Sequence, residues 1–151
     1  MSKSASLKNY FLSHRKVTNE LIDKIEPQHF DYKPAPTSMS AKELVIHMLT
    51  TFHMFAASAA KQAPEPIHQT SEEDDLRKLA DKYTDEAVKL IESLSDDSMN
   101  NMIDLTDIIG STLPAEKVLE IAVVHEIHHK GNLFVYVREM GHTDLPLFIK
   151  T

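Results

Sequence analysis

The chain has 151 residues, no cysteine and a formal net charge of −7, with 42% hydrophobic and 26% charged residues. This fits one globular domain over residues 1–151 and excludes wholesale disorder, disulfides, thiolate metal ligands and a cysteine nucleophile. No Lys/Arg cluster offers a nucleic-acid surface, no run approaches the roughly 18 apolar residues of a membrane span, and the start MSKSASLKNYF does not read as a signal peptide, so a cytoplasmic protein is expected.

Helical periodicity marks four segments. The first places Leu7, Tyr10, Phe11, His14, Val17, Leu21 and Ile25 on one face, and Pro27 closes it. A proline-rich loop, residues 26–38, follows. The second helix starts near Ser40, where Ser40 and Glu43 match a capping box, and carries Leu44, Met48, Phe52 and Phe55 at helical spacing until Pro64 and Pro66. Thr70 and Glu73 suggest another capping box before a third helix with Leu76, Leu79, Tyr83, Leu90, Ile91 and Leu94. Residues 95–113 form a longer connection, either a short helix or an extended arm. Pro114 suits the first turn of the last helix, which runs to about Met140 and stops at Gly141. The expected architecture is all-α: most simply an up-down four-helix bundle with a longer connection before the last helix.

The informative stretch is His125-Glu126-Ile127-His128-His129-Lys130-Gly131-Asn132. At about 100° per residue, His125 and His129 lie only about 40° apart, one turn from each other. They share a sector with Val118, Ala122, Tyr136 and Met140, so both imidazoles point where the core points. Such a pair can ligate one metal ion. The bland alternative is two hydrogen-bonded core histidines. His128 lies to the other side of His125 and reads as a supporting or surface residue. The run also matches HExxH literally, with Glu126 as the general base of a zincin. Against that reading, no further His or Glu follows at the third-ligand distance.

Two histidines from one helix leave a metal short of ligands. His47, in the middle of the second helix, is the best third candidate; the alternative is a boundary histidine bonded across the bundle. His14 is weaker, His53 reads as surface or interface, and His29, His68 and His142 fall in loops or near the terminus. Asp104, Asp107 and His14 are the groups to watch for a fourth ligand.

The order S-A-K-E-L-V-I-H, a long gap, then H-E-I-H-H-K-G-N-L-F-V-Y-V-R-E-M-G with Pro146 beyond, resembles the DinB-like superfamily of four-helix-bundle proteins. The likeness spans most of the chain and is sharpest over residues 125–141. It implies a three-histidine metal centre at His47, His125 and His129. The family commonly has Arg-Gly-Gln after the last histidine where this chain has Lys130-Gly131-Asn132, and Arg and Lys are not interchangeable at a bidentate contact.

Three neutral imidazoles and an open position suit catalysis by a divalent metal, with zinc or nickel leading. The resemblance implies a metal-dependent enzyme acting on a small molecule: a thiol S-transferase using a low-molecular-weight thiol, or a hydrolase. The competing reading is a non-catalytic metal-binding or stress-response bundle. Val123, Ile127 and Phe134 lie opposite the His125/His129 sector, so the last helix is apolar nearly all round. Either the 95–113 connection covers that back, or it forms a homodimer face.

Overall fold

The computed structural model describes residues 1–151. Four long helices, α1 (Lys3–Ile22), α2 (Ala41–Ala59), α3 (Leu76–Glu92) and α5 (Ala115–Glu139), make up most of it. Between α3 and α5 lies a small hairpin, β1 (Met102–Leu105) and β2 (Ser111–Pro114), joined by a single helical turn, α4 (Thr106–Ile109). No helix is long and apolar enough to cross a membrane.

The helix starts follow local chemistry. Ser2, Ser40 and Asp75 each accept a hydrogen bond from a first-turn N–H, satisfying a donor the helix itself cannot pair. Asp75, not Thr70, caps α3. Thr70–Asp74 is instead a short 3-10 turn closed by a reciprocal pair between Gln69 and Glu72. At the far end, α5 stops where expected: Gly141 follows with φ +103, a conformation that costs a glycine little.

The 95–113 connection contains the hairpin, in antiparallel register from Met102 opposite Pro114 to Leu105 opposite Ser111. Its turn closes on Gly110 with φ +74. Ile103 and Leu105 alternate inward and join the cluster that holds Val123 of α5, so the connection covers part of the back of that helix.

Side-chain pairs fix how the helices run. Lys3 meets Glu116 and Arg15 meets Glu126, so α1 and α5 are parallel. Asp23 meets Arg77 and Lys8 meets Glu92, so α1 and α3 are antiparallel. Tyr136 bonds Met39 and His47 meets His125, which sets α2 against the direction of α5. Both α1 and α2 pack on α3 and α5. Successive helices α1 and α2 are therefore diagonal partners rather than neighbours, unlike the simplest up-down order.

The core divides in two. Phe11, Phe52, Ala87, Leu119 and Val123 belong to one cluster, and Leu21, Leu49, Tyr83, Leu133 and Val137 to the other. Polar side chains occupy the level between them. Arg15 and Glu126 pair there with both side chains fully shielded, and Arg15 also reaches Thr84.

Candidate metal centre

His47 comes from the middle of α2, and His125 and His129 from successive turns of α5. The antiparallel packing of these helices brings the three rings together. Ring centroids lie 4.9 Å apart for His47 and His125, 4.9 Å for His47 and His129, and 4.5 Å for His125 and His129. One ring nitrogen from each lies within 4.8 Å of the others, and all three residues are half-buried.

The donor set suits a metal. Nε2 of His47 and Nε2 of His125 are 3.1 Å apart. Two nitrogens about 2.05 Å from a tetrahedral zinc stand about 3.3 Å apart, so the spacing is close to that of ligands sharing an ion. Two of the three imidazoles have a polar partner on the outer nitrogen. Asn132 Oδ1 accepts from His129 Nδ1–H at 3.1 Å, and Thr51 Oγ1 lies 3.3 Å from His47 Nδ1. The Nδ1 proton of His129 leaves its Nε2 lone pair free for a metal.

The imidazoles are also set to be neutral. Burial, then the nearby His129 and His47, push His125 down to about 4. Burial likewise lowers His47 and His129, the latter against the hydrogen bond it donates to Asn132, which raises it. A neutral ring is the form that ligates.

None of the groups singled out as a fourth ligand joins them. Asp104 accepts from Thr106 in the hairpin, and Asp107 sits in the exposed turn α4. His14 is buried against α5 on another side, with Lys130 Nζ 2.7 Å from its Nδ1. His128 is exposed and lies edge-on to the His129 ring.

Four polar residues are held by partners that the sequence did not reveal. Glu126 is fully buried and grips Arg15 through both oxygens at 2.8 and 2.9 Å, so it is no general base for the imidazole group. Lys130 is buried too, donating to His14 and the Phe148 carbonyl. Its side chain thus runs away from the imidazoles. His53 is not on the surface: 4% exposed, it sits edge-on to Tyr83 and bonds the Glu65 carbonyl. His68 is tied to Tyr83 and Glu73 at 2.6 and 3.0 Å. Arg15 had no signal in the sequence, because a charged residue beside His14 on a first helix reads as solvated.

A cavity of about 360 Å³ opens beside His129. The 26–40 loop, the start of α2 and α5 form its walls, with Met39, Leu44, Asn132, Val135 and Tyr136 among the lining residues. A larger depression of about 570 Å³ lies against the start of α3. Among its charged side chains Lys82 pairs with Glu72, Asp74 with Lys42, and Asp75 accepts from the Lys78 N–H; none of the three imidazoles borders it.

The sequence profile described as the DinB family matches residues 1–149. The chain is 49% identical over 150 residues to protein YjoA of Bacillus subtilis (strain 168), covering 98% of this chain and 97% of that one. The crystal structure of the DinB-like protein YjoA from Bacillus subtilis superposes with a TM-score of 0.85 at 46% identity, covering 97% of this chain and 99% of that chain. A DinB-like protein from Bacillus cereus ATCC 10987 shares the fold, with a TM-score of 0.71 at 18% identity over 89% of this chain and 90% of that one. With its helical bundle, its three-histidine group and a match over nearly its whole length, the chain belongs to the DinB family.

Proposed function

We propose that His47, His125 and His129 hold one divalent transition metal, zinc or nickel, and that residues 1–151 form one catalytic unit acting on a small molecule. The observation that carries the reading is the convergence of three neutral imidazoles with no fourth side-chain ligand. Three protein ligands and an open position are the pattern of catalytic rather than structural zinc. A metal held there would supply a Lewis acid and lower the pKa of a bound water or thiol.

The chain's own groups fit that role. Asn132 and Thr51 orient the ligand rings. The cavity beside His129 gives a small molecule a place to approach. A thiol S-transferase using a low-molecular-weight thiol is the leading activity, and a hydrolase is the second; the resemblance to the DinB-like superfamily favours the first. The absence of cysteine suits a reducing cytoplasm, where such thiols are abundant.

Elemental analysis of protein purified without a histidine tag tests the metal, with about one equivalent expected. Single His47→Ala, His125→Ala and His129→Ala variants should each lose most of it while remaining helical by circular dichroism. Wild-type metal content in all three would refute the assignment. To separate enzyme from binding protein, cobalt-substituted protein should change its visible spectrum on addition of a small thiol or azide, and a thiol with an electrophilic acceptor should turn over. A cobalt spectrum that no added ligand perturbs would instead favour a closed, non-catalytic metal site.

A further inference from the structure

The cavity beside His129 has a chemistry of its own. Pro34, Met39, Leu44 and Val135 give it apolar walls, and Thr37, Ser38, Asn132 and Tyr136 give it uncharged polar groups. No Asp, Glu, Lys or Arg lines it. The charges recorded around its Tyr136 wall are carboxylates. Glu43 acts on the Tyr136 hydroxyl, and Glu139 binds Tyr32, whose ring lies 5.9 Å from that of Tyr136. Lys130, one residue from His129, is turned inward to His14 and Phe148 and offers no cation to the cavity.

The hydrogen-bonding groups are disposed for a neutral guest. The Asn132 amide accepts from His129 through its oxygen, which leaves its NH₂ group to donate. The Tyr136 hydroxyl donates to the Met39 carbonyl at 2.7 Å and so pins the 26–40 loop to α5, holding the wall in place. In the metal-free protein an anion entering here would lose water and find no cation among the lining side chains; burying an unpaired charge costs far more than burying a neutral polar group.

We propose that this cavity is the site for an uncharged, largely apolar small molecule, and that its own lining, before any metal is bound, discriminates against anionic ligands of the same shape. The placement of the molecule's reactive end at His129 rests on the metal reading above; the selection by charge does not.

The test uses isosteric probes on the full-length, 17.1 kDa protein followed by heteronuclear NMR. In metal-free protein, 4-methylbenzyl alcohol should shift the signals of Met39, Leu44, Asn132 and Val135. The anionic isostere 4-(hydroxymethyl)benzoate should bind more weakly by about tenfold or more. Val135 is 48% exposed, so Val135→Lys should fold normally. It should reverse the preference by supplying the missing cation. Equal binding of the two probes, tighter binding of the anion to the wild type, or shifts confined to other faces would overturn the proposal. In zinc-loaded protein, 4-methylbenzyl mercaptan should bind more tightly than the alcohol. If charge selection is seen but zinc is not retained, the metal reading fails and the cavity assignment stands. If zinc is retained and the cavity signals do not move, the cavity assignment fails alone.

Discussion

Arg15 of α1 and Glu126 of α5 form a two-point ion pair inside the bundle, with neither side chain reached by water. The Arg15 guanidinium also lies over the rings of Phe11 and Phe52, at 4.8 and 5.3 Å. Glu126 is the residue after His125, so the pair fixes which face of α5 turns to α1 and leaves His125 and His129 facing α2. Burial pushes the Glu126 carboxyl up, but the charge and hydrogen bonds of Arg15 outweigh it and hold it below the usual range.

Removing one partner strands the other charge in the core. Glu126→Gln should lower stability by about 3–5 kcal/mol, read from urea unfolding. The double replacement Arg15→Met with Glu126→Leu should recover most of that loss, because no unpaired charge remains. Zinc content of the folded Glu126→Gln protein should stay near wild type. A loss below about 1 kcal/mol would mean the pair is not as dry as the structure has it.

The second prediction concerns acid. His125 titrates near 4 in the fold, against an ordinary value of 6.5, and His47 and His129 are lowered too. Between those limits the unfolded chain binds more protons than the native one, so stability must fall as pH falls. The stabilisation is complete above 6.5 and is lost progressively toward about 4. Buried His14 and His53, also lowered by burial, act in the same direction. The urea midpoint of metal-free protein should therefore drop steadily from pH 7 to 5, and His125→Asn should flatten the curve. Protons compete with metal for the same nitrogens, so bound zinc should leave as pH approaches 4, and full retention there would contradict a three-histidine site. A midpoint unchanged between pH 7 and 5 would contradict the burial of these imidazoles.

How much of this was legible follows from what each feature depends on. His125 and His129 could be found because i, i+4 spacing places them on one helix face whatever surrounds them, whereas His47 was reached only as a mid-helix candidate and through the family resemblance. The Ser40 cap is equally local. The hairpin was not legible: its pairing of Met102 with Pro114 is non-local, and the turn at Gly110 leaves only a weak mark in the sequence. The start of α3 was misplaced because Gln69, Thr70 and Asp75 all compete as caps within one acidic stretch, and only packing selects Asp75. His53 was misread, and the burial of Glu126 and Lys130 went unread, for a common reason. A polar side chain is buried only where a partner exists, and the partners, Arg15, His14 and the Glu65 carbonyl, lie far away in sequence or in an unassigned loop.

The third prediction is assembly. The hairpin covers Val123, and Arg138 lies over the Phe134 ring, so only part of the apolar back of α5 is left for a partner. Val124 is the largest opening, at 62% exposed. We propose a homodimer through this remaining strip. Light scattering at micromolar concentration should give twice 17.1 kDa, and Val124→Glu should return the protein to the monomer mass. A wild-type monomer would refute it.

The fourth prediction isolates a clamp outside the metal centre. Tyr83 is 1% exposed, and its hydroxyl accepts from the Ile67 N–H at 3.1 Å while lying 2.6 Å from His68 Nδ1. The other nitrogen of His68 meets Glu73 at 3.0 Å, which ties the far end of the 65–74 segment back to His68 and through it to Tyr83 of α3. If Glu73 accepts from Nε2–H, then Nδ1 must be the acceptor and the tyrosine must donate, so each group in the chain has a single consistent role. Tyr83→Phe keeps the ring and its edge-on contact with His53 but leaves the Ile67 N–H and His68 Nδ1 without this partner. The cost should be about 1–3 kcal/mol, the range for stranding buried polar groups. Amide exchange should quicken over residues 65–74 before it does in α2 or α5, and zinc content should not change, because His47, His125 and His129 make no hydrogen bond to the clamp. Faster exchange spread evenly over the whole bundle would show instead that Tyr83 supports the core at large rather than holding this one segment.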